Sequence, residues 1–252
     1  MAERVEGERT RVALVAGANG AIGRAAALRL ARDGCTVYAG YREGLARGEA
    51  VVAEMQAGGG SAELIHLDLR DAALVKEVCA TVYKRQGSLD ILVNAAAINR
   101  EMPTAGMDDN TWREVLATNL DGAFFLCREA AKYMVLGGWG RIVNVSSVSA
   151  QRGGRGQANY AASKAGMESL TRVLALELGR KGVLANCVAP GVISAGMSER
   201  IRRDHGGEIL HQIALSRFGA PDEVGSVIGF LCSEDAGYIT GQVISVDGGL
   251  AL

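Results

Sequence analysis

The chain has 252 residues, a formal net charge of -1 at pH 7 and a pI of about 6.3. This charge balance, together with an aromatic content of only 5%, argues against a nucleic-acid-binding surface. A hydrophobic content of 48% is ample for a large core, and strand–helix alternation without a linker favours a single domain over residues 1–252.

Residues 1–11 are charged and lack the apolar core of a signal peptide, and no apolar run approaches the roughly 20 residues that cross a bilayer. The cysteines are odd in number and unpaired at CxxC spacing, so we interpret them as buried thiols of a reducing compartment. The histidines lack metal-ligand spacing, and no metal site is predicted. We expect a soluble, cytoplasmic protein that binds neither membrane nor nucleic acid.

Apolar periodicity predicts strands and helices that alternate along the whole chain. The predicted strands are residues 12–16, 36–41, 62–67, 89–93, 141–145, 183–189 and 243–246. The predicted helices are residues 22–33, 43–57, 72–86 (capped by Asp71), 110–134, 158–178 and 221–232. Near-continuous apolar strands in this order predict an α/β Rossmann fold, a doubly wound parallel seven-stranded sheet with helices on both faces.

A glycine-rich turn joins the first predicted strand to the first helix. Small residues there let backbone N–H groups approach a pyrophosphate, whose negative charge the following helix N-terminus favours. The alternative is a tight turn chosen only for packing, but the position after the first strand favours dinucleotide binding. The predicted contacts are Gly17, Asn19, Gly20, Ala21, Ile22 and Gly23.

The end of the second predicted strand indicates which dinucleotide binds. NAD-binding proteins commonly carry an acid there for the ribose 2′-hydroxyl, whereas this chain has Tyr41 and Arg42. Arginine pairs with a 2′-phosphate, so NADP(H) is predicted. Alternatively, Arg42 is a solvated loop charge. Asp68, at the end of the third strand, could accept a hydrogen bond from the adenine amino group or cap the local turn.

Ser147, Tyr160 and Lys164 form the candidate catalytic group. Tyr160 and Lys164 are four residues apart in a predicted helix and therefore share one face. A free tyrosine has a pKa of roughly 10, and we expect the neighbouring ammonium to lower it. Ser147 follows a buried strand, where its hydroxyl could hold a carbonyl oxygen. The alternative is a helix whose tyrosine and lysine only meet solvent.

Taken together, these motifs resemble the short-chain dehydrogenase/reductase family over residues 11–250. Strand, glycine turn, Asn, Ser, Tyr-x-x-x-Lys and Pro-Gly occur in the family's order. The resemblance implies a catalytic tetrad of Asn119, Ser147, Tyr160 and Lys164, in which Asn119 holds a water that links Lys164 to solvent. It also implies cofactor contacts by Tyr160, Lys164, Leu69, Asn94, Ala95, Ala96, Pro190, Gly191 and Ile193.

Three positions depart from the family pattern. Ala21 replaces the middle glycine of the phosphate turn, residues 94–97 read Asn-Ala-Ala-Ala instead of Asn-Asn-Ala-Gly, and Ala195 replaces the usual threonine beside Ser194. Because each alanine is small enough to fit beside a backbone contact, we expect altered affinity or geometry and not loss of binding.

Within the family, residues 157–166 and 238–249 most resemble those of 3-oxoacyl-acyl-carrier-protein reductases. This implies NADPH-dependent reduction of a 3-oxoacyl thioester, carried by acyl-carrier protein or coenzyme A, with Tyr160 as proton donor. Lys181, beside Arg180, matches one basic carrier-protein contact, and Gly138 fills the other position.

The family resemblance also implies a homotetramer. We interpret residues 192–215 as a substrate lid, with Met197, Ile201 and Ile209 lining an acyl pocket or simply packing a mobile helix. Two other functions stay open: an NADP-dependent alcohol, sugar or steroid dehydrogenase, and a non-catalytic nucleotide-binding sensor.

Overall fold

The strands of this protein form one parallel sheet in the computed structural model. The structure describes residues 9–252, apart from the side chains of residues 198, 200 and 201. The strands are β1 Val12–Ala16, β2 Thr36–Tyr41, β3 Ser61–His66, β4 Ile91–Asn94, β5 Gly140–Val145, β6 Val183–Pro190 and β7 Val243–Val246. The spatial order is β3-β2-β1-β4-β5-β6-β7. The strand order reverses between β1 and β4, which confirms the predicted doubly wound sheet.

Helices cover both faces of this sheet. They are α1 Ala21–Arg32, α2 Leu45–Ala57, α3 Ala72–Gln86, α4 Asp109–Leu116, α5 Gly122–Gly137, α6 Ser149–Arg152, α7 Ala158–Leu178, α8 Glu199–Gln212 and α9 Pro221–Cys232. Side chains of β1 alternate between two cores: Ala13 and Val15 pack in the core under α1, α2 and α9, and Leu14 in the core under α3, α5 and α7. Within the described residues, none of these helices is long and apolar enough to span a membrane.

Several boundaries of strands and helices agree with those predicted from the local sequence. The limits of six elements are as predicted: β1, β2, β7, α3, α7 and α9. The predicted cap is also confirmed, because the Asp71 carboxylate accepts hydrogen bonds from the backbone N–H groups of Ala73 and Leu74 at 2.9 and 3.0 Å. Most other ends differ from prediction by one or two residues, since the ends of buried strands depend on pairing with their neighbours.

The prediction of one continuous helix over residues 110–134 is wrong. A π-helical segment, Ala117–Asp121, separates α4 from α5. Such segments are rare and are frequent at functional sites. The segment carries a long-range contact that hydrophobic periodicity does not encode, because the Asn119 side chain bonds to the backbone of Ile98.

Residues 192–215, expected to be a flexible lid, contain regular structure. A 3₁₀ turn, Gly196–Ser198, leads into α8, which is kinked at His205, where φ is -136°. Met197 is exposed and Ile209 partly buried, whereas the Ile201 side chain lies outside the described residues. The segment interpreted as a lid is therefore largely a kinked helix, α8, that follows β6.

Candidate active site

Three neighbouring strands end together at the candidate site. β4 ends at Asn94, β5 at Val145 and β6 at Pro190, and because the sheet is parallel these carboxyl ends lie at the same edge. Ser147 lies just beyond the end of β5, and Tyr160 is in the first turn of α7. The fold thus brings the Ser147 and Tyr160 hydroxyls together although the two residues belong to different elements.

Lys164 is enclosed beneath Tyr160 on the same face of α7. Its side chain is among the largest fully buried ones, and the residue is only 1% exposed. Nζ donates a hydrogen bond to the Val145 carbonyl oxygen at 2.7 Å and lies 5.7 Å from the centre of the Tyr160 ring. This backbone contact fixes the ammonium beside the end of β5, directly below the phenol.

The expectation that the ammonium lowers the tyrosine pKa is wrong for this structure. Burial raises the pKa of Tyr160 to about 12, and a hydrogen bond with the Ser147 hydroxyl offsets this rise only in part. Burial also lowers the pKa of Lys164 to about 8. Loss of solvation is the largest cause of both shifts, because it disfavours both charged forms. The phenol is therefore protonated at neutral pH, as a proton donor must be.

Ser147 is oriented by the start of α6. The backbone N–H of Ser149 donates to Ser147 Oγ at 3.1 Å. Because this bond uses an acceptor position of the hydroxyl, its single proton remains free to be donated to another oxygen. Ser147 is thus held so that it can bond both the phenol and a substrate carbonyl.

Asn119 is completely buried in the π-helical segment. Its Oδ1 accepts from the Ile98 N–H at 2.8 Å, and its Nδ2 donates to the Ile98 carbonyl at 2.9 Å and to Ser163 Oγ at 3.1 Å. Ser163 Oγ in turn donates to the Tyr160 carbonyl at 2.7 Å. Both amide protons are therefore used within the protein, and a water at Asn119 would have to bind the remaining Oδ1 lone pair or the backbone.

The glycine turn fits a bound pyrophosphate. Gly17 has φ +73°, and a Cβ there would lie 2.8 Å from the Cα of Ala96, so the turn packs directly on the chain that leaves β4. The N-cap of α1 is Gly20, which provides no side-chain hydrogen bond to the first turn of the helix. Backbone N–H groups of that turn are therefore available to an anion.

The Ala21 departure is accommodated by a residue that sequence analysis did not identify. Gly196 has φ +74°, and a Cβ at this position would lie 3.1 Å from the Cβ of Ala21. The extra methyl group on the phosphate turn is thus matched by the absence of a side chain at the start of the 192–215 segment. No local pattern could reveal this pair, because its members lie on different elements.

The residues expected at the adenosine end form ion pairs with their neighbours. Arg42 contacts Glu43 at 2.9 Å, and Asp68 contacts Arg70 at 2.6 Å. Hydrogen bonds from Arg70, with a smaller contribution from the charge of Arg42, lower the pKa of the Asp68 carboxyl. Asn19 donates to the Glu43 carbonyl oxygen at 2.6 Å. Arg70 was not predicted, and its spacing of two residues from Asp68 is the signal that could have identified it.

The remaining predicted cofactor contacts differ in exposure. Four are buried, because they end strands inside the sheet or lie under a neighbouring segment: Leu69, Asn94, Pro190 and Ile193. Ile22, Tyr41, Ala95, Ala96 and Gly191 are partly exposed. Only the second group has side chains or backbone accessible to a ligand from solvent.

Comparisons with known proteins agree with this geometry. A family model described as enoyl-(acyl carrier protein) reductase matches residues 16–251. The chain is 41% identical to the 3-oxoacyl-[acyl-carrier-protein] reductase FabG of Staphylococcus aureus, covering 96% of this chain and 98% of the relative. It is 40% identical to nodulation protein G of Azospirillum brasilense, covering 95% and 98%.

A solved structure is similar throughout its length. Gluconate 5-dehydrogenase from Burkholderia cenocepacia, in complex with NADP and tartrate, superposes with a TM-score of 0.91 at 28% sequence identity, covering 96% of each chain. The similarity therefore covers nearly the whole of both chains.

Proposed function

The chain belongs to the short-chain dehydrogenase/reductase family, an oxidoreductase family that uses a nicotinamide cofactor, and from this premise we propose that it reduces a 3-oxoacyl thioester to the 3-hydroxyacyl thioester with NADPH. The observation that carries the proposal is the protonated Tyr160 phenol, bonded to Ser147 above the buried Lys164. Reduction of a ketone needs such a donor close to the developing alkoxide.

The protein side chains divide the work of the reaction. Bound NADPH supplies the hydride that reaches the ketone carbon. The Ser147 hydroxyl holds the carbonyl oxygen, and Tyr160 gives its phenolic proton to that oxygen as negative charge develops. Lys164, still largely protonated at neutral pH with a pKa of about 8, lies beside the phenolate that remains. Asn119 fixes the Ile98 backbone and, through Ser163, the first turn of α7.

NADPH is proposed over NADH on the basis of Arg42. Its partner Glu43 has a side chain that is 74% exposed, and exposed ion pairs contribute only about 0–1 kcal/mol. Arg42 can therefore leave this partner for the doubly charged 2′-phosphate at little cost. The similar gluconate dehydrogenase was solved with NADP.

The thioester substrate is proposed from the curated relatives. The S. aureus relative is a 3-oxoacyl-[acyl-carrier-protein] reductase over nearly its whole length. Arg180 and Lys181 lie in the turn that follows α7 and offer a basic contact to an acidic carrier protein. At the second position Gly138 presents no charge, and a coenzyme A thioester fits this half-complete surface equally well.

Residues 192–215 are proposed to close over the substrate. The segment leaves β6 beside the candidate catalytic group, and Gly196 contacts the phosphate turn at Ala21. Exposed Met197 would provide an apolar surface toward an acyl chain. A lid in this position excludes water from the developing alkoxide.

We also propose a homotetramer that assembles in the cytoplasm. Apolar side chains are exposed on the outer faces of α4, α5 and α7, where Trp112, Phe124, Val173 and Leu176 lie. Pairing of these faces between copies would bury them. Leu174, which follows Val173 on α7, packs in the core and is not part of this exposed surface.

A second candidate is oxidation of a polyol or hydroxy acid with NADP, and the observation in its favour is the similarity to gluconate 5-dehydrogenase. A nucleotide-binding sensor is a weaker alternative. Sensing does not require a phenol, a hydroxyl and a buried ammonium placed together.

A spectrophotometric panel tests the proposal. NADPH and NADH are compared on acetoacetyl-coenzyme A and acetoacetyl-acyl-carrier protein, and NADP-dependent oxidation is measured on gluconate. We expect NADPH oxidation with at least one thioester and little turnover with gluconate. Faster turnover of gluconate would replace the reductase proposal by the second candidate, and binding of NADPH without turnover of any ketone or alcohol would favour the sensor.

A further inference from the structure

Arg152 joins three segments that are far apart in the chain. It is the last residue of the single-turn helix α6, shortly after Ser147. Its Nη1 donates to the Leu250 carbonyl oxygen at 2.6 Å, and its Nη2 donates to Gln212 Oε1 at 3.4 Å. Gln212 ends α8, the helix of the proposed lid. One guanidinium therefore contacts the loop of Ser147, the end of the lid and the C-terminal turn.

The C-terminal turn is itself an ordered structure. The Asp247 carboxylate accepts hydrogen bonds from the N–H groups of Gly249 and Ala251 at 3.0 and 2.8 Å. The Leu215 N–H donates to the Gly248 carbonyl oxygen at 3.1 Å. The turn is thus bonded to Leu215, the last residue of the 192–215 segment.

The C-terminal turn also packs closely against the end of the 192–215 segment. A Cβ at Gly248 would lie 2.9 Å from Ile213 Cγ2, and a Cβ at Gly249 would lie 2.8 Å from Ala214 Cβ. No side chain separates the turn from the lid end at these points. Leu250, which follows directly and whose carbonyl oxygen accepts from Arg152, is only 7% exposed.

We propose that Arg152 is a positioning residue that latches the end of α8 and the C-terminal turn onto the loop that carries Ser147. This inference rests on the proposed function of the Ser147–Tyr160–Lys164 site. A charge-assisted hydrogen bond to a backbone carbonyl is stronger than a neutral one, and it holds regardless of the side chain at Leu250. The latch holds the end of α8 at a fixed distance from Ser147, so that a bound ketone stays beside the Ser147 and Tyr160 hydroxyls.

The same loop offers a matched control. Arg155 is exposed, three residues after Arg152, and within the part of the chain that the structure describes it makes no hydrogen bond or ion pair. Both arginines carry one positive charge on the segment that follows Ser147. A difference between their variants therefore reports on the bonds of Arg152 and not on the loss of a cation.

The experiment compares Arg152→Gln, Arg152→Lys and Arg155→Gln in the full chain. For Arg152→Gln we expect KM for the ketone to rise about tenfold, the size of a lost charged hydrogen bond, with kcat within about twofold. Arg152→Lys should recover part of this loss, because an ammonium also donates to the Leu250 carbonyl. Arg155→Gln should keep KM within about twofold of the parent.

Two readouts do not require turnover. Limited proteolysis should cut residues 199–215 faster in Arg152→Gln than in Arg155→Gln, while affinity for NADPH, followed by its fluorescence, stays the same.

If no ketone is reduced by the parent, the proposed function fails and proteolysis alone decides the latch. Equal cleavage in both variants, or a loss in kcat with unchanged KM, would overturn the proposal. If Arg152→Gln does not fold, Gln212→Leu removes the other partner and should shift cleavage in the same direction.

Discussion

The catalytic corner and the adenosine rim of this molecule are built in opposite ways. In the corner, Asn119 and Lys164 are 0% and 1% exposed, and each bonds to backbone atoms of a distant segment. At the rim, Arg42 and Asp68 pair with charged side chains next to them in the chain, in contact with solvent. Burial shifts pKa values in the corner, whereas the rim pairs are screened. The proposed chemistry therefore depends on the fold, and the proposed preference for NADPH depends on exchangeable charges.

Tyr160→Phe should have the largest effect, because it removes the proposed proton donor from the corner. We expect kcat to fall by about 10²- to 10⁴-fold or more, while affinity for NADPH changes little. Steady-state assays together with NADPH fluorescence titration would measure both quantities. Turnover near the parent's rate would show that another group donates the proton.

Lys164→Met should reduce turnover strongly and also change how stability depends on pH. Burial holds the Lys164 pKa at about 8, below its ordinary 10.5. The charged lysine therefore destabilises the folded state, fully below pH 8 and progressively less between the two values. The Tm of the variant minus that of the parent should fall as pH rises from about 8 to about 10.5. A difference that does not change with pH would contradict the burial of a charged lysine.

Asn119→Ala tests the comparison between corner and rim by its effect on the free energy of unfolding. It leaves the partly buried N–H and carbonyl of Ile98 without their Asn119 partner, at an expected cost of about 2–3 kcal/mol in the free energy of unfolding. Asn19→Ala is the matched rim variant, since its amide bonds to the carbonyl of exposed Glu43, and should cost less than about 1 kcal/mol. Urea unfolding of both variants measures the difference. Similar costs would mean that burial does not separate the two regions.

Arg42→Gln should have the smallest effect, and only on the cofactor. We expect the ratio of NADPH to NADH affinity to fall by about tenfold, with Tm and the kcat at saturating cofactor near those of the parent. Arg47→Gln, on the adjoining helix α2, is a control for loss of positive charge. If the ratio of NADPH to NADH affinity did not change, the 2′-phosphate would have to be bound by a cation other than Arg42.

Local patterns in the sequence determined the order of strands and helices, the limits of α7 and the cap at Asp71. Each depends on residues within one or two turns of each other: the period of apolar side chains, and a carboxylate that reaches N–H groups two and three residues ahead. The Tyr160–Lys164 spacing belongs to the same class, because helix geometry alone places both side chains on one face.

Tertiary structure alone decided the π-helical segment at Asn119, the contact between Ala21 and Gly196, and the direction in which the Tyr160 pKa moves. Asn119 meets a backbone 21 residues away, and the Ala21 methyl meets a glycine that follows the sixth strand. The phenol becomes a weaker acid because distant segments remove water from around it. Desolvation is a property of the assembled surroundings, and no spacing along the chain encodes its magnitude.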